Sequence, residues 1–528
     1  MLNISIDNIN DIFAGKVSNP ELVFGIVGPI GVNIDNVIDA LSSALLDMQY
    51  KSHVIHLTKI AKNDRIQIPI DNSSYFNRYD SLIRYGNEFC RLAKTKSALA
   101  GVAISQIREI RKSILEARGI TDVDKNPEPA TGNAYIVRQF KRPEEIELMR
   151  LVYGRKFIQL SVFGSASERR KVLMRKIQNH NPVPKSDEQC EKEAIELIEM
   201  DNNQKDEPNG QRLSDVFHIG DVFVDGIEKK RTDDTIKRFI RALFGDTHIS
   251  PTKEEYGLYI ATAASFRSVD LSRQVGAAIF SPRGEVITLG CNEVPKASGG
   301  TYWADDPTPI ARDVELGSDP NHDRKTEILY DLLERMKNAG FLSEELNSKE
   351  NEQERIEELT KNSQFRESQL MDIIEYGRII HAEMSAISDA ARIGRPTNGA
   401  TLFCTTFPCH ICAKHIVAAG MQRVVFLEPY PKSHAIKLHP DSITFERNDR
   451  DSSKVLFEPF IGISPRRYRD LFEKKKRKDE NGKAKYWYEG KPAPLIEDRG
   501  PSYLTYEANA IFVALKEVFS SYGTKAEP

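Results

Sequence analysis

The sequence predicts an α/β protein of two domains, each organised around a sheet. Three observations carry this. The apolar, β-rich run Leu22–Val27 (LVFGIV) ends in glycines and is followed by a helical pattern and then a second strand. A second α/β pattern begins near Lys253. The chain has 528 residues, more than one compact core accommodates.

In the first domain, Gly28-Pro29-Ile30-Gly31 reads as a turn after the strand. Ile34, Val37, Leu41, Ala44 and Met48 then fall on one helical face, with Asn33 placed to cap it. His53–Leu57, Ala134–Phe140 and Phe157–Phe163 read as strands. Pro143 with Glu144 and Glu145 opens a helix, and a charged helix starts at Ser167. Residues 183–215 are polar, part linker and part helix.

In the second domain, Tyr256–Phe266 reads as a helix. Val275–Phe280 and Glu285–Leu289 form a hairpin about Pro282-Arg283-Gly284. Residues 305–375 are a charged insertion with one amphipathic helix at Ile328, Leu332, Leu333 and Met336. Arg378–Gly394 and Pro408–Ala419 read as helices, Thr401–Thr405 and Arg423–Leu427 as strands. The expected boundaries are 1–250, 251–450 and a C-terminal extension over 451–528 with a basic run at 474–478.

Composition narrows the function. Lys plus Arg total 74 against 77 Asp plus Glu, a net charge of -3, so the chain lacks the global basic excess of a duplex-binding protein. The first residues (MLNISIDNINDIFAGK) show no basic start followed by an apolar run, and no stretch approaches the length of a membrane span. Three of the six cysteines fall within nine positions, at Cys404, Cys409 and Cys412. That clustering suits a metal site in a reducing compartment better than a disulfide framework, and the expected location is the cytoplasm.

The strongest chemical signal is His381-Ala382-Glu383 followed by Pro408-Cys409-His410-Ile411-Cys412. Imidazole nitrogen and thiolate sulfur are the donors zinc takes. Cys409 and Cys412 are three apart, so their sulfurs share a face near a helix N-terminus, where the dipole favours thiolate. Three protein ligands leave a fourth position for water, the pattern of a catalytic zinc. Glu383 then serves as general acid/base. This His-x-Glu…Pro-Cys-x-x-Cys order is the signature of zinc nucleobase deaminases. The alternative is a structural zinc closed by His410 or Cys404, which leaves the glutamate and the proline unexplained.

Residues 253–440 resemble the CMP/dCMP deaminase family. The matching segments are Ser272-Arg273-Gln274-Val275-Gly276-Ala277, Gly290-Cys291-Asn292-Glu293-Val294-Pro295, the zinc motif and Glu428-Pro429-Tyr430. The resemblance implies a cytidine-deaminase-like α/β/α sandwich, with Asn292 on the sugar. Arg267, Arg273 and Lys432 are candidates for substrate phosphate, with ordinary surface charge as the simpler reading of each. Tyr430 joins this substrate set through its motif. Relatives that edit nucleic acid share the zinc motif and are the alternative.

The turn around Gly25, Gly28 and Gly31 sits where a phosphate loop belongs, between strand and helix. Val32 and Asn33 stand where a P-loop has Lys and Ser or Thr. The domain thus resembles a P-loop nucleoside-phosphate kinase that has lost catalysis, with nucleotide sensing or a structural role as the two readings. The whole chain resembles bacterial anti-phage deoxycytidine nucleotide deaminases. That implies conversion of dCTP or dCMP to the uridine forms, a homo-oligomer, and control by a small RNA.

Overall fold

The computed structural model describes residues 18–519, apart from 62, 121–126, 182, 203, 205–206, 208, 350, 363–364, 366–367, 431–432, 447–452, 475, 489 and 497–501. The chain divides into two compact units. One comprises Met1–Glu255 and Ile461–Pro528, the other Tyr256–Phe460.

The first unit opens with β1 (Leu22–Val27), α1 (Ile34–Asp47) and β2 (Lys51–His56). Two long helices follow, α2 (Tyr75–Ala93) and α3 (Ala98–Ala117), in a stretch where no element was expected. Then come β3 (Asn133–Arg138), α4 (Pro143–Tyr153), β4 (Phe157–Phe163), α5 (Ala166–His180), α6 (Asp187–Asn202), β5 (Val222–Asp225) and α7 (Lys229–Leu243). β1 lies between β3 and β4, parallel to both. Its side chains alternate between two cores. Leu22, Phe24 and Ile26 pack with Val37 and Leu41 of α1 and Phe239 of α7. Val23 and Val27 pack with Phe89 of α2 and Ile104 and Ile107 of α3. Full burial of each such side chain stabilises by about 1.5–3 kcal/mol. Asn33 caps α1 as expected, its Oδ1 accepting from Asn36 N at 3.2 Å.

The second unit begins with α8 (Lys253–Ser265), which starts at the boundary, then β6 (Gly276–Phe280) and β7 (Val286–Cys291), the antiparallel hairpin. The insertion carries α9 (Pro320–Asn338) and α10 (Glu352–Lys361). After it come α11 (Ala382–Arg392), β8 (Thr401–Thr406), α12 (His410–Ala418), β9 (Arg423–Glu428), β10 (Ile443–Thr444) and β11 (Val455–Pro459). The sheet order is β10-β11-β9-β8-β6-β7, parallel from β10 through β8. Both expected helices at the zinc motif start later than the sequence suggested. Ile380 pairs with Glu293 in a β-bridge and His381 is extended, so α11 begins only after His381.

The chain then returns to the first unit with β12 (Gly462–Ile463), α13 (Pro465–Phe472) and α14 (Tyr503–Phe519). β12 pairs antiparallel with β5 and completes the order β12-β5-β4-β1-β3-β2. The separate extension expected over 451–528 is thereby corrected: β11 belongs to the second sheet, and the rest builds the first unit. Ala510, Ala514 and Leu515 of α14 join the core of α2 and α3. Within that core Arg111 lies between two carboxylates. It meets Glu21 at 3.0 Å and Glu507 of α14 at 2.6 Å, with all three nearly inaccessible. The hydroxyls of Tyr135 and Tyr153 donate to Glu21 and Glu507 at 2.6 and 2.8 Å. Burial opposes charge on Arg111, but the two carboxylates outweigh it. Among the described residues no helix is long and apolar enough to cross a membrane.

Removing the guanidinium would strand two buried acids. Arg111→Ala is expected to destabilise the first unit by about 3–5 kcal/mol, read as a lowered denaturant midpoint. An unchanged midpoint would show that the network contributes nothing to the docking of α14.

Candidate active site

The site is built where two helices begin. His381 is the N-cap of α11 and Cys409 the N-cap of α12. α11 rests directly on β7, at Gly290. A Cβ there would lie 2.1 Å from the Ala382 carbonyl oxygen and 2.6 Å from the Ala386 nitrogen, so only glycine permits the approach. Thr288 Oγ1 donates to the Ala386 carbonyl at 2.8 Å and pins the pair. On the other side, Cys409 Sγ accepts from the Cys412 amide at 3.4 Å, a thiolate-type cap at a helix N-terminus.

These caps bring three donor atoms together. His381 Nδ1 lies 3.3 Å from each of the Cys409 and Cys412 sulfurs. All three ligand atoms fall within 4.8 Å of one another. Tetrahedral zinc with bonds of about 2.0–2.3 Å separates nitrogen and sulfur ligands by about 3.6 Å, so the triangle fits with a small opening. The electrostatics fit as well. The Cys409 thiol is pushed down to about 4, by the hydrogen bond from Cys412 first and then by the imidazole, against the effect of burial. Burial pushes the Cys412 thiol up. Burial disfavours charge on His381, but Cys409 and Glu383 outweigh it and raise its pKa. Protons crowded among such donors are what a divalent ion displaces. The alternative fourth ligands are elsewhere. Cys404 is fully buried within β8, its Sγ on the Val425 carbonyl, and His410 Nε2 faces Glu375 at 3.2 Å. Among the described residues, a closed four-ligand site is therefore not formed.

Glu383 lies in the first turn of α11, only 4% exposed. Burial, then the Cys409 thiolate, holds its carboxyl above the ordinary range. Glu383, His381 and Cys409 line one cavity of about 550 Å³, with Phe407 and Tyr430 in its wall. That size suits a small-molecule ligand.

The other expected residues are distributed unevenly. Asn292 and Arg273 line the cavity. Asn292 is largely committed to its own loop: Oδ1 accepts from Val275 N at 2.7 Å, and Nδ2 donates to Asp270 and to the Arg273 carbonyl. Its first role is to shape the 270–275 loop. Arg273 pairs with Glu428 at 3.2 Å and lies over the Tyr430 ring, 5.1 Å from its centroid. Arg267 is not among the cavity-lining residues. Its guanidinium stacks on Trp303 at 3.7 Å and donates to the carbonyls of Thr301 and Tyr302. Lys432 lies outside the described residues. Missed by the sequence reading are Asp270 and the insertion residues Asp313, Asp319, Asn321, His322, Lys325 and Ile374, all of which line the cavity. No motif marks them, because the fold alone brings the insertion to the pocket.

The turn around Gly25, Gly28 and Gly31 behaves differently from a phosphate loop. A Cβ on Gly25 would meet the Phe157 ring at 2.7 Å, so packing accounts for that glycine. Gly31 has φ +95° and abuts the Arg169 backbone. The loop amide of Ile30 donates to Asp201 Oδ2 at 2.6 Å. Lys141 Nζ binds the other oxygen of Asp201 at 2.6 Å and the Gly28 carbonyl at 2.8 Å. The anion that this turn holds is thus a carboxylate of the chain itself, from α6. The Ile30 amide, one of the loop donors expected to face a ligand, is thus already engaged. Titration of the full chain with ATP or GTP is expected to give no binding heat at this turn, and Asp201→Ala should lower stability by exposing Lys141 to an unpaired burial.

The comparisons with known proteins now bear on the second unit. Residues 251–428 match the cytidine and deoxycytidylate deaminase zinc-binding region. The chain is 46% identical over 57 residues to ComE operon protein 2 of Bacillus subtilis, covering 11% of this chain and 30% of that protein. It is 46% identical over 54 residues to the deoxycytidylate deaminase of Enterobacteria phage T2, covering 10% of this chain and 29% of that protein. The chain thus spans under a third of the length of these curated relatives. The crystal structure of dCMP deaminase from the cyanophage S-TIM5, in complex with dCMP and dUMP, aligns over 40% of this chain and 100% of its own, at 17% identity and a TM-score of 0.22.

The stretch that matches the zinc-binding region contains the His381, Cys409 and Cys412 triangle, a donor set that could hold zinc. Cys409→Ser and His381→Ala are expected to lose the metal, measured as zinc per chain by elemental analysis. Both should also lower the unfolding temperature of the domain, since metal binding and folding are coupled. Full zinc occupancy in either variant would displace that residue from the ligand set.

Proposed function

We propose that this protein is a hydrolase that deaminates a free deoxycytidine nucleotide, dCTP or dCMP, to the uridine form and ammonia. The observation that carries the reading is the conjunction of a three-donor metal triangle with a buried glutamate in one nucleotide-sized cavity. The match to the deaminase zinc-binding region supports the same chemistry.

Zinc held by His381, Cys409 and Cys412 would supply the Lewis acidity that makes a water nucleophilic near neutral pH. The chain's own residues do the rest. Glu383 takes one proton from the attacking water and delivers it to the ring nitrogen beside the reacting carbon. It carries the second to the amino group, which departs as ammonia as the carbon–nitrogen bond breaks. A carboxyl whose pKa is raised by burial suits both directions of transfer. Leu271, Ile374, Phe407 and Tyr430 line the cavity with apolar surface and limit bulk water around the base. Asn292 and Asp270, locked to each other at 2.9 Å, hold the loop that carries Arg273 at the pocket edge. A wider role, draining dCTP during phage infection, rests on the whole-chain resemblance.

The test is ammonia release from zinc-loaded full-length protein offered dCTP, dCMP, CTP, deoxycytidine, a cytosine-containing single strand and tRNA. Turnover of dCTP or dCMP is expected. Turnover of the oligonucleotides alone would replace the reading with nucleic-acid editing. Glu383→Gln should keep zinc and lose roughly 10²–10⁴-fold in kcat. Retained activity would remove Glu383 from the mechanism.

A further inference from the structure

Among the described residues that line the cavity, the carboxylates and cations are mostly spoken for. Asp270 accepts from Asn292 Nδ2 at 2.9 Å and from the Ser272 amide at 2.6 Å. Asp313 pairs with Arg378 at 3.0 Å. Asp319 caps α9, accepting from Asn321 N at 2.9 Å. Arg273 is held by Glu428 at 3.2 Å. Lys325 differs. Its Nζ donates to the Met371 carbonyl at 3.1 Å, and among the described residues no carboxylate pairs with it. Two of its three donors remain for a ligand.

Lys325 is also held in place. It sits on α9 one turn after Asn321 and His322, and residues at these spacings share a helix face. Asn321 Nδ2 donates to the Ile373 carbonyl at 2.9 Å, and its Oδ1 accepts from Tyr376 N at 3.2 Å. The start of α9 is therefore braced against the returning end of the insertion, at the wall of the cavity that holds the metal triangle. An ammonium with no carboxylate partner among the described residues, fixed at the edge of a pocket, is a receptor for an anion. A cytosine base presents none; the phosphate of a nucleotide does.

We propose that the insertion supplies the phosphate-recognition arm of the active site, with Lys325 as its charged contact and His322 beside it. This rests on the nucleotide-deaminase reading above and adds the residue that selects nucleotide over nucleoside. The insertion, absent from the motif-bearing core, then sets substrate class.

The experiment uses the full-length zinc-loaded protein. Lys325→Ala is expected to raise KM for dCMP or dCTP roughly tenfold or more, with kcat much less affected. The ratio of kcat/KM for nucleotide over deoxycytidine should fall in step. Lys325→Arg should recover most of that ratio, which a purely structural brace to Met371 would not explain. Unchanged nucleotide KM in Lys325→Ala overturns the inference while leaving the deaminase reading intact. No ammonia release from the unaltered protein defeats the deaminase reading instead. Calorimetric binding of dCMP and dCTP to Glu383→Gln, with and without Lys325→Ala, then decides the inference alone. Roughly tenfold weaker binding in the double variant supports it; equal affinity, or no binding in either, overturns it.

Discussion

The second unit depends on how closely α11 approaches β7 at Gly290. A Cβ at that position would lie 2.1 Å from a helix carbonyl, a distance no side chain survives. The absence of a side chain lets the first turn of α11 lie on the strand. Its entry is fixed by the extended pairing of Ile380 with Glu293, which leaves His381 at the N-cap with its ring free to turn inward. Glu383 follows two residues later, buried against the same donors. On the facing side Cys409 caps α12, and its sulfur already accepts a backbone amide. Two helix N-termini thus converge on one point. Their positive ends favour the thiolate form, and burial makes every charge there matter more than it would in water.

The first unit shows the opposite tendency, toward saturating its own polar groups. Arg111 takes both of its carboxylates from far apart in the chain, and the tyrosines around it satisfy the remaining acceptor sites. The Gly28–Gly31 turn keeps the position of a phosphate loop, at the end of β1 and before α1. Asp201 fills its amide and Lys141 neutralises Asp201. Topology alone is therefore a poor guide to what this unit binds.

The zinc motif was legible because its chemistry is local. Cys409 and Cys412 are one turn apart, and His381 precedes Glu383 by two residues, so spacing alone placed their donors. The hairpin at 282–284 and the cap at Asn33 were legible for the same reason. Asn292, expected on the sugar, and Arg267, expected at the phosphate, are both hydrogen-bonded to the chain itself, at Val275 N and the Thr301 carbonyl. The helix starts at 382 and 410 fell later than the pattern implied, because a β-bridge and a capping sulfur, rather than propensity, set them.

The sequence by itself determined the α/β class, most strands, and the residues of the candidate metal triangle, since each depends on residue type in a local pattern. Only the tertiary structure decided three things: that α14 and β12 belong to the first unit, that Asp201 occupies the glycine turn, and that the insertion lines the cavity. The contacts are long in sequence, 171 residues between Ile30 and Asp201 and 396 between Arg111 and Glu507. Contacts of that range leave no periodicity in the chain. They are set by which buried charge finds which partner once the sheets have formed.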